Sequence, residues 1–372
     1  MVPEIYVFGI RGFPNVQGGS EKHSEQLYPR LVRLGCGVTV FARKGYLPRD
    51  GDMNEWQGVK FVRLPHPKRL GFEAFLHSAL AAVQCVKRRP DLVHVHNMGP
   101  GLMTGLLKLC RRKVVLTYHS VNYQHQKWGP LAKAVLKVGE FISVNFADCV
   151  IVVSQATKKF LQAKYPGRRF EVIHNGVEPV PPLPPGPTLA RFDLSSRPYV
   201  FTASRFTPEK GLHDLVAAYA RLNNPPFALV IAGDADHETD YTKTLRAQAG
   251  DTPGIVLTGY LNGQPLIELF SNAALFVLPS HYEGLPIALL EAMSFGIPAL
   301  VSDIPAHREI GLADHRYFPP GDVATLAEKM TALAGEPLSD EERRQHAELI
   351  RRDYNWDRIA DQTKQVYLSV LQ

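Results

Sequence analysis

The stretch ALFVLPSHYEGLPIALLEAM, residues 274–293, contains the unit from which the whole chain is built. Its first seven residues form an apolar run of the kind that makes a buried parallel strand. A loop follows, and Pro286 is predicted to lie in the first turn of the next helix, where its missing N–H costs nothing. Glu283 then lies in the loop and Glu291 a turn or more inside the helix. The unit is therefore a strand, a loop and a helix, with two carboxylates around the helix start.

The same alternation of apolar runs with amphipathic segments extends over both halves of the chain. Strands alternating with helices indicate βαβ units and parallel sheets. The sequence thus predicts an α/β protein with two doubly wound, Rossmann-like domains. The helical patterns cover 20–34, 72–89 and 355–371, and the predicted strands are 4–10, 37–42, 91–96, 113–119, 149–154, 198–206, 227–233, 254–259, 274–280 and 297–302.

A proline-rich segment separates the two halves. VEPVPPLPPGPT, residues 177–188, has six prolines in twelve residues and cannot be a core strand or helix. We therefore predict an N-terminal domain over 1–180 and a C-terminal domain over 181–355. Ligands bind beyond the carboxyl ends of the strands in such sheets, so we expect a site in a cleft between the domains, formed by the loops after the strands.

Length and composition are those of a globular protein of two domains. The 372 residues are 45% hydrophobic and 21% charged. No apolar run approaches the roughly 18 residues of a membrane span. The chain opens with MVPEIYVFGIRG and leads directly into a strand, so we expect no signal peptide. Its four cysteines show no CxxC spacing, which favours a reducing cytosol and indicates no thiolate metal site.

Charge is distributed unevenly between the halves. Residues 1–180 hold 26 Lys+Arg and 12 Asp+Glu, a balance of +14, whereas residues 181–372 hold 16 and 24, a balance of −8. A basic half suits an anionic partner: nucleic acid, a membrane surface or a phosphorylated substrate. A solvated basic surface without a partner is the alternative.

Two loops of the first half are candidate site elements. Gly18 and Gly19 precede a predicted helix with Ser20 as its N-cap, and paired glycines let a phosphate approach the free N–H groups of a helix start. A simple tight turn is the alternative, and the G-x-G-x-x-G pattern of dinucleotide sites is absent. His119 ends a strand, where it can act in the site or in the structure. His94 and His96 share a strand face, which favours packing over a metal pair.

The second half carries a cationic loop. Arg205 and Lys210 follow a strand and enter a helix, a pattern that would hold a pyrophosphate. Ordinary surface charge is the alternative. Glu283 and Glu291 can accept hydrogen bonds from vicinal hydroxyls of a sugar or ribose. The backbone amides of Gly284, Leu285 and Ile287, on either side of Pro286, can donate to phosphate oxygens or sugar hydroxyls. Together these features indicate a sugar-nucleotide site.

The Glu283–Glu291 spacing, E-x7-E within EGLPIALLEAM, resembles the signature of the GT4 family of retaining glycosyltransferases with the GT-B fold. The likeness covers nearly the whole chain, through GGSE (18–21), TYH (117–119), VIVVS (150–154), VIHNGV (172–177), SRFTPEKG (204–211), VIAGD (230–234) and LTGYL (257–261). The resemblance is to enzymes of bacterial surface polysaccharide synthesis, including lipopolysaccharide. It implies that the terminal helix, 356–372, returns to the first domain, and that this domain binds the acceptor and the second the donor.

The resemblance also implies a role for each candidate residue. His119 and Glu283 would be catalytic, with Glu283 holding hydroxyls of the donor sugar and His119 beside that sugar. Glu291 would bind the ribose. The remaining groups would bind the diphosphate (Gly18, Gly19, Arg205, Lys210), the donor sugar (Gly284, Leu285, Pro286, Ile287) and the base (Gly259, Tyr260, Leu261).

The expected reaction needs no cofactor and no divalent metal. Arg205 and Lys210 would replace the ion that stabilises a leaving diphosphate in other transferases. Asp234 and Asp236 form a D-x-D pair like that of single-domain metal-dependent transferases, but the two-domain pattern argues against that class. Retention of configuration, with the departing phosphate helping to deprotonate the acceptor, is implied by the resemblance alone.

The basic half is expected to meet the acceptor at an anionic membrane. Basic amphipathic segments with aromatic residues suit such an interface. Helices that merely pack on their own sheet are the alternative. No aromatic platform or recognised motif favours nucleic acid. We therefore expect a cytoplasmic enzyme attached peripherally to the inner membrane, with a lipid-linked glycan acceptor. The residues on this side are Lys68, Arg69, Lys87, Arg88, Arg89, Arg111, Arg112, Lys113 and Trp128.

The donor is expected to be a nucleoside-diphosphate sugar, UDP-linked as a first choice and GDP-mannose as a second. Two other functions stay open. Another GT-B enzyme, such as a sugar-nucleotide epimerase or a phosphorylase, would differ in its dependence on an acceptor. A non-catalytic nucleotide-binding module would not need the intact set of Glu283, Glu291, Arg205, Lys210 and His119.

Overall fold

The computed structural model describes residues 2–47, 54–65, 72–121, 129–235 and 237–372. The chain divides into two compact units, Met1–Asn175 with Trp356–Gln372, and Gly176–Asn355. The first break falls five residues before the predicted boundary at 180/181, so the proline-rich segment belongs to the second unit. The terminal segment belongs to the first unit, where the resemblance placed it.

The first unit is built on a sheet of eight strands in the order β3-β4-β2-β1-β5-β6-β7-β8. Its pairs are parallel except for β3 with β4. β1, β5 and β6 are buried along almost their whole length, which is why they read as continuous apolar runs. The strands are β1 Glu4–Phe8, β2 Gly37–Arg43, β3 Glu55–Trp56, β4 Val59–Leu64, β5 Leu92–His96, β6 Val114–Tyr118, β7 Cys149–Val152 and β8 Phe170–Val172.

Helices connect these strands, and the last helix of the chain joins them. They are α1 Gly19–Arg33, α2 Phe72–Arg88, α3 Met98–Gly101, α4 Thr104–Leu109, α5 Pro130–Phe146 and α6 Gln155–Lys164, with α15 Trp356–Leu371 at the carboxyl end. α15 packs on α1, and its buried Trp356 and Tyr367 belong to the same apolar core as Phe13 and Tyr28. This burial ties the final residues of the chain to the first unit.

The second unit has six strands in the order β11-β10-β9-β12-β13-β14, all paired in parallel. Its core lies between β9, β10 and β12 and the helices α8 and α13. The strands are β9 Tyr199–Ala203, β10 Ala228–Ala232, β11 Ile255–Gly259, β12 Leu275–Leu278, β13 Ala299–Ser302 and β14 Tyr317–Phe318. The helices are α7 Pro187–Arg191, α8 Leu212–Ala220, α9 Asp240–Gly250, α10 Gln264–Ser271, α11 Ile287–Ser294, α12 Pro305–Arg308, α13 Val323–Leu333 and α14 Asp340–Asp353.

The predicted α/β class with two doubly wound units is confirmed, and all ten predicted strands are present, nine with shorter bounds and β2 one residue longer. Four further strands, β3, β4, β8 and β14, were not predicted. β3, β8 and β14 have two or three residues, too few for a periodic pattern. β4, near the sheet edge, mixes buried residues with exposed and half-buried ones, and its alternation is broken at Arg63. Among the described residues, no helix is long and apolar enough to cross a membrane.

Candidate active site

In the second sheet the strand order reverses between β9 and β12, and the loops that follow these two strands lie side by side. β9 lies between β10 and β12, so the chain leaves the two neighbours β9 and β12 in opposite directions. The crevice beyond the carboxyl ends of such neighbours is where doubly wound sheets bind ligands. The loop after β9 carries Arg205 and Lys210, and the loop after β12 carries Glu283. The fold thus brings three predicted site residues to one edge of this unit.

Lys210 and Glu283 form a partly buried ion pair. Lys210 Nζ donates to Glu283 Oε1 at 2.6 Å, and Ser280 Oγ donates to the same oxygen at 2.7 Å. The side chains are 19% and 9% exposed. Burial by itself raises the pKa of the Glu283 carboxyl, but the Lys210 ammonium and the two hydrogen bonds outweigh it and lower that pKa below its usual value. Glu283 is therefore held as a carboxylate.

The two loops approach closely because Gly211 has no side chain. Its φ of +64° is left-handed, and a Cβ there would lie 2.1 Å from the Pro279 carbonyl oxygen. His281 N also donates to the Glu209 carbonyl at 2.9 Å, a second link between the loops. Glycine is required at position 211 because other residues disfavour this φ and because their Cβ would collide with the Pro279 carbonyl. The contact fixes Lys210 opposite Glu283.

The segment after Glu283 differs in one detail from the prediction. α11 begins at Ile287, and Pro286 occupies the N-cap position in an extended conformation rather than the first turn. Glu291 is the fifth residue of this helix and is half-buried. Within the described residues, the amides of Gly284, Leu285 and Ile287 make no hydrogen bond. Three backbone N–H groups at the start of α11 can therefore donate hydrogen bonds to a ligand.

The predicted base-binding residues follow β11 in the same sheet. Gly259 ends the strand with a φ of +74°, Tyr260 is 41% exposed and Leu261 is half-buried. Arg205, also half-buried, follows β9 directly. Asp234 of the D-x-D pair is engaged in an ion pair with Arg246, and Asp236 lies outside the described residues.

The first sheet reverses between β1 and β5, and the glycine pair lies in the loop after β1. α1 begins at Gly19 with Gly18 at the N-cap, so the prediction of Ser20 as the cap was wrong. Glu21 is nevertheless in the first turn, and its carboxylate accepts from Arg11 Nε at 3.0 Å. A Cβ on Gly18 would lie 2.4 Å from Glu21 Oε2. The absence of a side chain at Gly18 makes room for this ion pair, whose side chains are 12% and 8% exposed.

His119 follows β6 and belongs to a buried network of imidazoles and phenols. Its Nε2 lies 2.8 Å from His96 Nδ1, and His96 Nε2 is hydrogen-bonded to the Tyr28 hydroxyl. His94 Nδ1 lies 2.6 Å from the Tyr367 hydroxyl of α15 and 3.1 Å from that of Tyr28. His94 and His96 thus take part in packing and hydrogen bonding, in keeping with the interpretation made from the sequence.

Burial keeps these imidazoles neutral. It lowers the pKa of His23 to about 4 and of His94 to about 3, and it holds the pKa values of His96 and His119 well below the usual range, with neighbouring imidazoles adding to the effect. A neutral imidazole donates through one nitrogen only. If the Tyr28 hydroxyl donates to His96 Nε2, then His96 Nδ1–H donates to His119 Nε2, and the proton of His119 is on Nδ1.

Several residues of this environment were not identified from the sequence: Arg11, Tyr28, Ser280 and His23. A buried hydroxyl or imidazole looks like any core residue until its partners are known. The signal available for Arg11 was its position in the loop between β1 and the glycine pair. His23 Nδ1 lies 2.8 Å from Asn175 Oδ1, a contact across 152 positions of sequence that no local pattern reveals.

The basic residues predicted on the acceptor side fall at exposed helix ends of the first unit. Those on α2 and after α4 are exposed except Arg112, which is half-buried, and Lys68, Arg69 and Trp128 lie outside the described residues. Helices α2, α4 and α5 of the same unit also carry large apolar side chains. The exposed ones are Phe75, Val83, Leu106, Leu109, Leu131, Val135, Val138, Phe141 and Phe146, and we call this set the apolar surface.

Two groups of metal-ligand side chains occur in the part of the chain that the structure describes. One is His23, His96 and His119, all buried. The other is His213, Asp214 and His281 of the second unit. In each group one ligand atom per residue lies within 4.8 Å of the others.

Comparisons with known proteins agree with this architecture. Residues 191–352 match the model of "Glycosyl transferases group 1" and residues 17–180 that of "Glycosyltransferase Family 4". The chain is 30% identical over 391 residues to the alpha-maltose-1-phosphate synthase of Mycobacterium tuberculosis, covering 96% of this chain and 97% of that protein.

Solved structures share the fold over the full length. Sucrose-phosphate synthase from Thermosynechococcus elongatus has a TM-score of 0.83 at 24% identity, covering 99% of both chains. Anabaena HepE in complex with UDP-glucose has a TM-score of 0.75 at 19% identity, covering 98% of this chain and 99% of that one. Two Rossmann-like units with these neighbours constitute the GT-B fold. The chain belongs to the GT4 family of glycosyltransferases and is a transferase enzyme.

Proposed function

We propose that the enzyme is a retaining, metal-independent glycosyltransferase. It moves a sugar from a nucleoside-diphosphate sugar, UDP-linked as the first choice and GDP-mannose as the second, to a hydroxyl of a lipid-linked glycan in surface polysaccharide synthesis. The observation that carries the donor half of this proposal is the Lys210–Glu283 pair at the reversal of the second sheet. The structural relative solved with UDP-glucose supports the same donor class.

The ion pair suits a donor with a diphosphate next to a sugar. An ammonium has three N–H donors, and Glu283 uses one of those of Lys210, so two can reach phosphate oxygens. Arg205 adds a second permanent charge from the same loop. Glu283, kept ionised by Lys210, can accept from sugar hydroxyls through its second oxygen. One arrangement thus serves both parts of the donor.

The reaction itself needs charge stabilisation and an oriented acceptor. The bond between the anomeric carbon and the phosphate oxygen breaks, and a bond from that carbon to the acceptor oxygen forms on the same face. The acceptor proton passes to the departing phosphate, whose growing negative charge is stabilised by Arg205 and Lys210. His119 is neutral, and in the tautomer protonated at Nδ1 it offers a hydrogen bond to a sugar hydroxyl rather than a charge. Glu291 binds the ribose in this scheme.

A membrane partner is supported by the apolar surface together with the basic helix ends. Leu131 is 81% exposed and Leu109 is 84% exposed, and exposed apolar groups of this size are typical of interaction sites. Lys87, Arg88 and Arg89 end α2 and are exposed. Exposed apolar side chains on helices of a unit that also carries exposed basic helix ends suit an anionic inner leaflet, which would hold the enzyme peripherally at the cytoplasmic side.

Nucleotide binding tests the donor assignment. The melting temperature is measured with UDP, GDP, dTDP, CDP and ADP, each with and without EDTA, for the wild type and Glu291→Ala. A diphosphate at about 100 times its Kd stabilises by roughly 2.7 kcal/mol. We expect UDP to stabilise the wild type equally in EDTA and the variant to lose the shift. No shift with any diphosphate contradicts the donor assignment, and a shift that needs a metal contradicts metal independence.

Acceptor-dependent turnover tests the acceptor. Release of the nucleotide is followed with lipid-linked glycans, with a free sugar phosphate and with no acceptor. Turnover with the lipid-linked glycan alone supports the proposal. Turnover with sugar phosphate would place the enzyme with synthases that form sugar phosphates, and turnover without acceptor would favour an epimerase or a hydrolase.

Membrane association is tested separately by flotation with vesicles. Phosphatidylglycerol vesicles should carry the wild type, phosphatidylcholine vesicles should carry less, and Leu131→Ser with Phe141→Ser should reduce both. Val2→Ser is the matched control, since Val2 is also exposed in the first unit but lies on none of these helices. Equal flotation of all variants would contradict the role of the apolar surface.

A further inference from the structure

A second polar cluster lies next to the donor loops and has no part in the proposed reaction. His213 and Asp214 are in the first turn of α8, and His281 is in the loop after β12. Lys210 precedes the cluster by three residues on one loop and Glu283 follows it by two on the other. The cluster thus joins the same two loops as the catalytic ion pair but through different side chains.

The donor atoms of the cluster converge on one carboxylate. His281 Nε2 lies 2.6 Å from Asp214 Oδ2, and His213 Nε2 lies 3.6 Å from Asp214 Oδ1. The two imidazole rings are parallel within 7°, with centroids 5.7 Å apart. Two ligands bound tetrahedrally to one ion at about 2.0–2.1 Å are roughly 3.3 Å apart. The observed distances lie on either side of that value, so small side-chain rotations suffice to bring the three atoms around an ion.

The surroundings suit metal ligation. The Tyr241 hydroxyl of α9 lies 3.3 Å from His213 Nδ1, the nitrogen that would not bind the ion. A metal-bound imidazole commonly donates its other N–H to such an oxygen, which fixes the tautomer. The imidazole side chains are 42% and 40% exposed, whereas that of Asp214 is 12% exposed. The ion therefore has an entry path from solvent and an anchored carboxylate beneath it.

We propose that His213, Asp214 and His281 form a binding site for a divalent transition-metal ion of the Zn²⁺ class. Two imidazoles and one carboxylate are the ligand set that such ions prefer, with water completing the coordination. The ion joins the start of α8 to the loop after β12 and so stiffens the support of Lys210 and Glu283. The ion does not contact the leaving diphosphate, whose negative charge is stabilised by Arg205 and Lys210 as proposed above. The proposal does not depend on the donor or acceptor assigned above.

Zinc binding to the untagged, chelator-treated protein tests this site. Isothermal titration with Zn²⁺ gives the affinity, and the absorption spectrum with Co²⁺ reports the coordination without any use of activity. We expect one site whose affinity falls by about 100-fold or more in His281→Ala and in His213→Ala, since loss of a second-shell partner already costs about 10- to 100-fold. Tyr241→Phe should weaken binding by about 10-fold, as a second-shell change.

His315→Ala is the matched control, because His315 is an exposed histidine of the same unit outside the cluster. It should leave the affinity unchanged. Melting curves without metal establish that each variant is folded. Zn²⁺ should raise the melting temperature of the wild type and His315→Ala equally, that of Tyr241→Phe less, and those of His281→Ala and His213→Ala little or not at all. Unchanged zinc affinity in His281→Ala, or no binding to the folded wild type, would overturn the proposal.

Discussion

The candidate site residues lie mainly in two regions, the loops after β9 and β12 in the second unit and the ends of β5 and β6 in the first, and these two regions differ in charge. In the second unit the site is charged: Lys210 and Glu283 form a partly buried ion pair, and Arg205 lies in the same loop as Lys210. In the first unit the polar residues at the ends of β5 and β6 are imidazoles, phenols and a threonine. Burial keeps the imidazoles neutral there.

The difference matches what each region is proposed to bind. A diphosphate is an anion, and fixed cations stabilise it as its charge grows. The cation must then be held near a carboxylate so that neither is buried alone. Sugar hydroxyls are neutral, and a neutral imidazole with a fixed tautomer orients them without introducing a charge. Four predictions test this contrast, and they are ordered by the size of the expected effect.

The largest effect is expected from breaking the charged pair. Lys210→Met should lower kcat/KM by about 1,000-fold, because the leaving diphosphate loses a fixed cation. The buried carboxylate of Glu283 also loses its partner, so unfolding free energy should fall by about 3 kcal/mol. Steady-state kinetics and denaturant titration measure the two losses. Lys329→Ala removes a lysine of the same unit bonded only to the His315 carbonyl in the described chain, and should change neither. Activity within 10-fold of the wild type in Lys210→Met would contradict the role of the pair.

Acid should destabilise the protein through the neutral histidines. The pKa of His23 is about 4 and that of His94 about 3 in the fold, both below the usual 6.5. Between those values and 6.5 the unfolded chain binds more protons than the folded one, so stability falls as pH decreases through this window. Each unit of pKa difference corresponds to about 1.4 kcal/mol. Denaturant unfolding of the wild type from pH 7.5 to 4.5 should show a decline of several kcal/mol, reduced in His94→Gln. A flat profile in this range would mean that the histidines are accessible to protons in the fold.

The tautomer of His119 should depend on His96. His96→Ala removes the hydrogen bond to His119 Nε2, and we expect kcat to fall by about 10-fold with little change in KM for the donor. His96→Asn, whose amide can donate in place of Nδ1–H, should recover part of that loss. Nitrogen chemical shifts of labelled histidine report the His119 tautomer directly. If His96→Ala and His96→Asn lose kcat equally while the tautomer is unchanged, His96 has only a packing role.

The smallest effect is expected at the charged contact between α1 and α15. Arg30 Nε donates to Asp357 Oδ1 at 2.9 Å, but the Asp357 side chain is 75% exposed. Exposed pairs contribute about 0.2–1 kcal/mol. Asp357→Asn should therefore lower the unfolding free energy by less than 1 kcal/mol, measured by denaturant titration in low salt. Tyr367→Phe, which removes a buried hydroxyl from His94, is the informative comparison and should cost more. The reverse order would show that α15 is held by charge rather than by its buried side chains.

Much of the site was predictable because it lies in loops that directly follow buried strands. Arg205, Lys210 and Glu283 could be placed from their position after β9 and β12, and Glu291 from its place in the following helix. Ser280 and Arg11 could not, since their importance lies in bonds to partners brought close by folding. The predicted N-cap at Ser20 failed because capping preferences are local, whereas Gly18 is required by the Arg11–Glu21 pair on which it packs.

The sequence by itself determined the class of fold, because buried parallel strands need continuous apolar runs and the runs alternate with helical patterns. It also determined the family, through the order and spacing of short motifs around Glu283 and Glu291. Only the tertiary structure decided which loops become neighbours: β9 beside β12, and β1 beside β5. Strand order depends on packing between segments far apart in the chain. For that reason the Lys210–Glu283 pair, the His96–His119 bond and the His213–Asp214–His281 cluster emerge from the fold, although every one of their residues was visible in the sequence.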